Sequence, residues 1–254
     1  MKIVTFNIRC VYQGKVDGIN SFAYRAVGVA DKINAEKPDV VGFQEITADI
    51  LSVLERLLPD YLFVGQFRNS DYTGEGVYTA IRKDSVALLG LETIWLSPTP
   101  YLPGSRFENQ SEYPRICVAT KLRFKESGRI LRVFNLHLDH ISDEARVLGI
   151  EAAFKFADSF GDGADRVFLG DFNATPDSKT IAFCNDRLVD ITNKIPTSFH
   201  NFGKSEHYAA GTKIDYIYVP SNLANSVSEV YAWDDEKNGI YLSDHYPICA
   251  TWEE

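Results

Sequence analysis

Residues 39–45 read DVVGFQE and residues 167–173 read VFLGDFN. Each is a near-continuous apolar run that stops abruptly at polar side chains. A strand with one wet face alternates apolar and polar residues, so a run without alternation is buried on both faces. The neighbouring stretches fit that reading. Residues 2–8, KIVTFNI, form a strand rich in β-branched residues. Ser21 is a candidate N-cap, and Phe22, Ala26, Val29, Ala30 and Ile33 follow at helical spacing before Pro38. Thr47 starts a second helix, with Ile50, Leu51, Leu54, Leu57 and Leu58 on one stripe before Pro59. Strands are expected over 61–67, 77–82, 86–96, 116–124 and 130–136, with a hairpin turn at Glu126-Ser127-Gly128-Arg129. Residues 97–114, rich in proline, form an irregular excursion. A helix over about 142–160, a short helix over 178–186 and closing strands near 214–219, 227–232 and 245–252 complete the chain. No linker-like composition interrupts this order, so one domain over 1–254 is expected, of α/β class, with two packed sheets covered by helices on their outer faces.

The 254 residues are 45% apolar and 24% charged, an ordinary globular balance that excludes fibrous and disordered chains. The formal net charge of -9 argues against tight, unassisted binding to long nucleic acid, which gains affinity through Lys and Arg. It leaves room for a local cationic cleft and suits a site that recruits its own metal cation. No apolar run reaches the length of a membrane span, and MKIVTFNIRC lacks the apolar core of a signal peptide. The expectation is a soluble cytoplasmic protein with no membrane partner. Cys10, Cys117, Cys184 and Cys249 are far apart and form no C-x-x-C pair, so buried apolar thiols are expected.

Six places set polar groups at the ends of apolar strands, where burial makes them costly unless they are partnered. Asn7 ends the first strand, Glu45 ends GFQE, and His137 ends a strand in VFNLHLDH. Asp171 and Asn173 follow VFLG, Asp215 lies in KIDYIYVP, and Asp244 and His245 precede the last strand in LSDHYPI. Each has an ordinary structural reading: a turn cap for Asn7, a helix cap for Glu45, an Asx-turn for GDFN, a satisfied core histidine for His137, a surface turn for Asp244-His245. Together they are the ingredients of metal-assisted phosphoester cleavage. Glu and Asp supply hard oxygen ligands for Mg²⁺. Asn donates to phosphate oxygens, His moves protons near neutral pH, and a buried Asp fixes a histidine tautomer.

The ordered set NIR, QE, NLHLDH, GDFN, KIDYI and SDHYP resembles the endonuclease/exonuclease/phosphatase superfamily, the DNase I-like hydrolases, from Asn7 to His245. The resemblance implies a four-layer α-β-β-α sandwich with the site at one edge of the two sheets, and a divalent metal, Mg²⁺ or Mn²⁺. It implies that Glu45 binds metal, that Asn7 positions metal and phosphate, and that Asp244 is a metal-side carboxylate. It gives Asp171 the activation of water, Asn173 a phosphate contact, and His245 an orienting partner in Asp215. Arg9 stands where abasic-site endonucleases carry an acid, and Arg115 is placed like an arginine that contacts phosphate. Glu75 matches a glutamate that orients the first histidine, which would make Glu75–His137 a second acid–base pair with His137 as the general acid. The motifs look most like a bacterial-type group whose membership names no substrate. The implied activity is phosphoester hydrolysis by in-line attack of water, with a phosphodiester as the leading substrate, in a nuclease or a small-molecule phosphodiesterase. A phosphomonoesterase, a metal-free acid–base hydrolase and a non-catalytic binding module are the alternatives. Tyr72, Tyr101, Phe107, Phe199, Phe202 and Tyr208 lie in segments read as loops and are candidates for stacking on a base or sugar, with His200 and His207 flanking.

Overall fold

Why the apolar runs lack alternation is visible in how β1 (Lys2–Asn7) and β8 (Asp165–Asp171) are covered. Val4 and Phe6 of β1 face one core, with Phe22, Val29 and Ile33 of α1 (Phe22–Glu36) and Ile50 and Leu54 of α2 (Ala48–Leu57). Ile3 faces the opposite way, into a core shared with Val167 and Leu169 of β8. Phe168 of β8 turns to a third core, with Ile150 and Phe154 of α3 (Asp143–Asp158) and Ile181 of α4 (Lys179–Asn185). The two-residue period of a strand thus divides each run between an outer helical layer and an inner layer where the sheets meet. The layers are helix, sheet, sheet, helix, as in a DNase I-like sandwich. The structure, a computed structural model, describes residues 1–10, 17–204 and 211–253.

The remaining strands are β2 (Val40–Ile46), β3 (Tyr61–Phe67), β4 (Gly76–Arg82), β5 (Val86–Trp95), β6 (Ile116–Phe124), β7 (Ile130–His137), β9 (Val189–Asp190), β10 (Asp215–Val219), β11 (Val227–Ala232), β12 (Glu236–Lys237), β13 (Ile240–Tyr241) and β14 (Ile248–Trp252). A fifth short helix, α5, covers Ser221–Ala224. One sheet has the order β11-β14-β1-β2-β4-β3 and the other β5-β6-β7-β8-β10-β9. The sheets approach closely: a Cβ at Gly42 would lie 2.2 Å from Leu169 Cδ1 of the facing sheet.

Register places the polar groups. β1 runs parallel to β2, and β7 parallel to β8. Their C-terminal ends carry Asn7, Glu45, His137 and Asp171. In the second sheet His137 pairs with Asp171 across β7 and β8, and Asp171 with Asp215 across β8 and the antiparallel β10. Three side chains from distant sequence positions therefore stand side by side. The chain can make this ladder because Gly170, at φ 146°, brings its Cα against Leu136 O, where a Cβ would fall at 1.9 Å.

Element boundaries differ from the expected ones mainly at the end of the chain. The final strand starts at Ile248 rather than near 245, because Pro247 has no N–H to give a ladder. Ser21 and Thr47 hold N-cap positions without a side-chain cap bond, whereas Ser142 and Ser178 accept from Ala145 N and Ile181 N. The four cysteines are buried and free of disulfides. Among the described residues no helix is long and apolar enough to cross a membrane.

Candidate active site

Glu45 sits in a β-bulge, where the pairing of β2 with β4 shifts between Phe43 and Ile46. Its φ is 62°, in the left-handed region that costs a non-glycine residue about 1–3 kcal/mol. The bulge breaks the pleat and brings the carboxylate to Asn7 at the end of β1 instead of leaving it on the regular face of the strand. Asn7 Nδ2 donates to Glu45 Oε1 at 3.0 Å and to Asp171 Oδ2 at 2.9 Å, tying the two sheets together. Arg9 N–H donates to Asn7 Oδ1 at 3.0 Å, so both ends of the amide are assigned by their partners. Asn7 therefore presents its nitrogen to the two carboxylates and its oxygen to the Arg9 N–H. The second Glu45 oxygen accepts from Cys10 N at 2.9 Å. Burial opposes the charge on Glu45, but the neighbouring His137, then Arg9 and the Cys10 N–H, outweigh it and hold the carboxyl well below its usual range.

On the second sheet, His245 Nδ1 and Asp215 Oδ2 are 2.8 Å apart. The Ser198 hydroxyl accepts from Ile214 N and Asp215 N at 2.9 and 3.0 Å and anchors the start of β10. Burial disfavours charge on His245, yet Asp215 and then Asp171 raise its pKa to about 10. Asp171 Oδ2 lies 3.9 Å from His245 Nε2 and 3.5 Å from His137 Nε2, while its Oδ1 accepts from Asn173 N at 2.8 Å. Burial and the neighbouring Asp215 push the Asp171 carboxyl up to about 7. Asn173, at φ 48°, donates through Nδ2 to Leu138 O at 3.1 Å. Asp244 is buried, accepts from the Ser243 hydroxyl at 3.1 Å, and stands 3.4 Å from Arg9 Nη1.

The expected Glu75–His137 pair is not formed. Glu75 accepts from Arg68 Nη1 at 2.5 Å, and the carboxylate nearest His137 is Asp171. The cause is the loop after β3, which delivers the guanidinium of Arg68 to Glu75 and ties Arg68 N to Glu75 O at 3.0 Å. Burial and then Arg115 push His137 well below its ordinary 6.5. Arg115 is 5% exposed; its Nη2 lies 3.0 Å from His140 Nδ1, and its Nε 3.8 Å from Asp139 Oδ1.

Glu45, His137 and Asp171 offer ligand atoms within 4.8 Å of one another, as do Cys10, Glu45 and Glu75, and Asp171, Asp215 and His245. These clustered donors can hold a metal ion. Asp244 belongs to none of the three groups among the described residues. The floor opens into a pocket of about 1110 Å³ that reaches the starts of α3 and α4 and includes Arg9, Arg68, Tyr113, Arg115 and His140. Arg68, Tyr113 and His140 are the lining residues that the motif reading did not single out. The signal was present in HLDH, which carries a second histidine, and in FRNSD, where a charge directly follows a strand. Of the loop aromatics, Phe199 packs on His245 with ring centroids 4.8 Å apart. His200 is buried against Tyr246, 3.9 Å between centroids, rather than presented to a substrate. Tyr208 and His207 lie outside the described residues.

Carboxylates, amides and histidines gathered at one edge of two helix-covered sheets define a hydrolase of the DNase I-like class, acting on phosphoesters. Residues 4–245 match the Endonuclease/Exonuclease/phosphatase family, and the chain belongs to it. An endonuclease/exonuclease/phosphatase from Bacteroides vulgatus is 28% identical, with a TM-score of 0.88 over 99% of this chain and 98% of that one. A mannosyl-6-phosphatase of Bacteroides thetaiotaomicron is 23% identical, with a TM-score of 0.87 over 100% of both chains. The TDP2 of D. rerio, solved with a single-strand DNA product, is 20% identical, with a TM-score of 0.76 over 100% of this chain and 99% of that one. The last two likenesses are likenesses of fold.

Proposed function

We propose that this chain is a divalent-metal-dependent hydrolase of small phosphoesters, with a phosphodiester as the first substrate class. One observation carries the reading: four carboxylates, Glu45, Asp171, Asp215 and Asp244, gather on the floor, while the arginines beside them are largely spoken for. Arg9 is paired with Asp17 and Asp244 and Arg68 with Glu75, and Arg115, with Nε and Nη1 unbonded among the described residues, is the remaining arginine. An anionic phosphate entering among Glu45, Asp171, Asp215 and Asp244 meets net repulsion unless a cation joins it. Glu45 fits a hard divalent cation, because it is an oxygen donor held ionised by its surroundings and such a cation takes few carboxylates and keeps several waters. When bound, such a cation supplies Lewis-acid charge for the phosphate oxygens; Mg²⁺ and Mn²⁺ both suit these ligands.

The chain's own groups do the rest. Asp171 titrates near neutrality, which suits a general base taking a proton from the attacking water. His245, kept cationic by Asp215, stabilises charge that develops on a phosphate oxygen. Asn173 uses Nδ2 to bond Leu138 O, and its second amide hydrogen is available to phosphate. The carboxylate-rich floor favours the single charge of a diester over the double charge of a monoester. Away from the floor the pocket lining mixes Asp143, Glu144 and Asp177 with Arg146 and Lys179, and Arg146 is paired with Asp143, so among the described residues no basic track for a polyanionic strand runs along it. A sugar phosphomonoester is the second reading, favoured by the full-length likeness to the mannosyl-6-phosphatase.

The test is turnover of bis(4-nitrophenyl) phosphate and 4-nitrophenyl phosphate with Mg²⁺, Mn²⁺ or EDTA, for wild type and Glu45→Gln. Metal-dependent turnover that is greater on the diester and lost by orders of magnitude in the variant is expected. Full activity in EDTA overturns metal dependence, and preference for the monoester selects the second reading.

A further inference from the structure

Beside the floor, the same pocket has a wall that the hydrolytic groups do not use. Arg115 can only donate, so His140 Nδ1, 3.0 Å from Arg115 Nη2, is an acceptor. That fixes the tautomer: the ring hydrogen is on Nε2, which has no hydrogen-bond partner among the described residues. The His140 side chain is 41% exposed. Tyr113, with its ring centroid 5.9 Å away, is 39% exposed. The guanidinium of Arg68 backs the Tyr113 ring at 4.6 Å, and Arg68 itself is buried. Two buried arginines, Arg68 anchored by Glu75 and Arg115 bonded to the His140 ring, thus hold an aromatic face and an N–H donor on one pocket wall. Asp143, Glu144 and Asp177 along that pocket add carboxylate acceptors.

We propose that Tyr113 and His140 form a subsite for a sugar ring attached to the phosphate that the floor hydrolyses. A pyranose fits because it presents a C–H face to an aromatic ring, an oxygen acceptor to the His140 Nε2–H, and hydroxyl donors to carboxylates. The proposal rests on the phosphoester reading above and adds the identity of the organic group. It assigns Tyr113 and His140 to specificity, not to the chemical step.

The experiment compares wild type, Tyr113→Ala and His140→Ala on matched substrates with and without the ring. These are hexose 6-phosphate against glycerol phosphate, and the methyl diesters of the same two alcohols. Both side chains are well exposed, and unchanged thermal melting of the variants checks that they fold. KM for the hexose substrates should rise about 3- to 10-fold in each variant, the loss of one stacking or hydrogen-bond contact, with less than about a twofold change for the glycerol substrates and for kcat. Equal effects on both series, no effect on either, or a wild type without preference for the hexose series overturns the subsite. If wild type turns over none of them, calorimetric titration with hexose 6-phosphate and with inorganic phosphate in Mn²⁺ separates the two claims. A Kd for the hexose ester that still depends on Tyr113 and His140 keeps the subsite while the hydrolytic reading falls; independence of both residues removes the subsite.

Discussion

The two buried histidines of the site, His245 and His137, stand in opposite chemical states. Burial works against charge on both. His245 has Asp215 at 2.8 Å and is raised to about 10. His137 has its nearest carboxylate, Asp171, at 3.5 Å and Arg115 among its neighbours, and is driven to the neutral form. The partner decides the outcome, and strand register and loop geometry decide the partner. In the proposed chemistry this divides the labour: one histidine would bring positive charge to phosphate, while the other offers a neutral ring. A neutral imidazole has no spare proton for a leaving oxygen near pH 7, so the general-acid role expected of His137 loses its support along with the Glu75 partnership.

The contrast breaks most visibly at His245. Replacing it by Gln keeps hydrogen bonding and removes the cation, and kcat should fall about 10²–10⁴-fold. Asp215→Asn leaves the ring in place and withdraws the group that raises its pKa. The alkaline limb of the pH–rate profile should then move down from the region of about 10 toward the ordinary histidine value. An unmoved limb would show that His245 is not the group that must stay protonated.

A smaller effect sharpens the other side. His137→Ala, assayed on a nitrophenyl ester and on an alkyl ester, separates acid catalysis from simple contact. A neutral His137 predicts similar losses on both, about the worth of one hydrogen bond, or up to about 10-fold. A loss confined to the alkyl ester, whose leaving oxygen needs a proton, would restore the general-acid role.

The smallest effect concerns a third buried histidine. His200 has no carboxylate partner among the described residues, and burial followed by the neighbouring His245 lowers it to about 4. Its native pKa is below the unfolded value of about 6.5, so the unfolded chain binds more protons between the two. The stability contributed is complete above about pH 6.5 and is lost as pH falls toward about 4. His200→Phe keeps a ring against Tyr246 and should flatten this part of the stability curve, measured by denaturant unfolding at several pH values. Identical curves for both proteins would mean that His200 does not titrate with folding.

Much of the architecture was legible because it rests on local rules. The doubly apolar runs at 39–45 and 167–173 announced strands covered on both faces, and the spacing of Val29, Ile33, Ile50 and Leu54 announced helices that cover them. The polar residues closing those runs were legible for the same reason, since a charge at the end of a buried strand needs a use. The partner of Glu75 is not legible in the same way, because Arg68 comes from a loop whose course no periodicity records. Nor is the place of His140, since a second histidine in HLDH has no distinct meaning until Arg115 fixes its ring.

Which residues could serve, their order along two covered sheets, and the kind of chemistry they can support are all written in the linear chain. Which of them meet is settled in three dimensions. The left-handed bulge at Glu45 brings its carboxylate to Asn7, the ladder of β7, β8 and β10 sets His137, Asp171 and Asp215 abreast, and Arg68 claims Glu75. The physical reason is range. Periodicity and propensity act within a few residues, whereas the charge state of a buried group is set by neighbours within a few ångströms, and here those neighbours are tens to hundreds of residues away along the chain, as Asn7 and Asp171 are at 164.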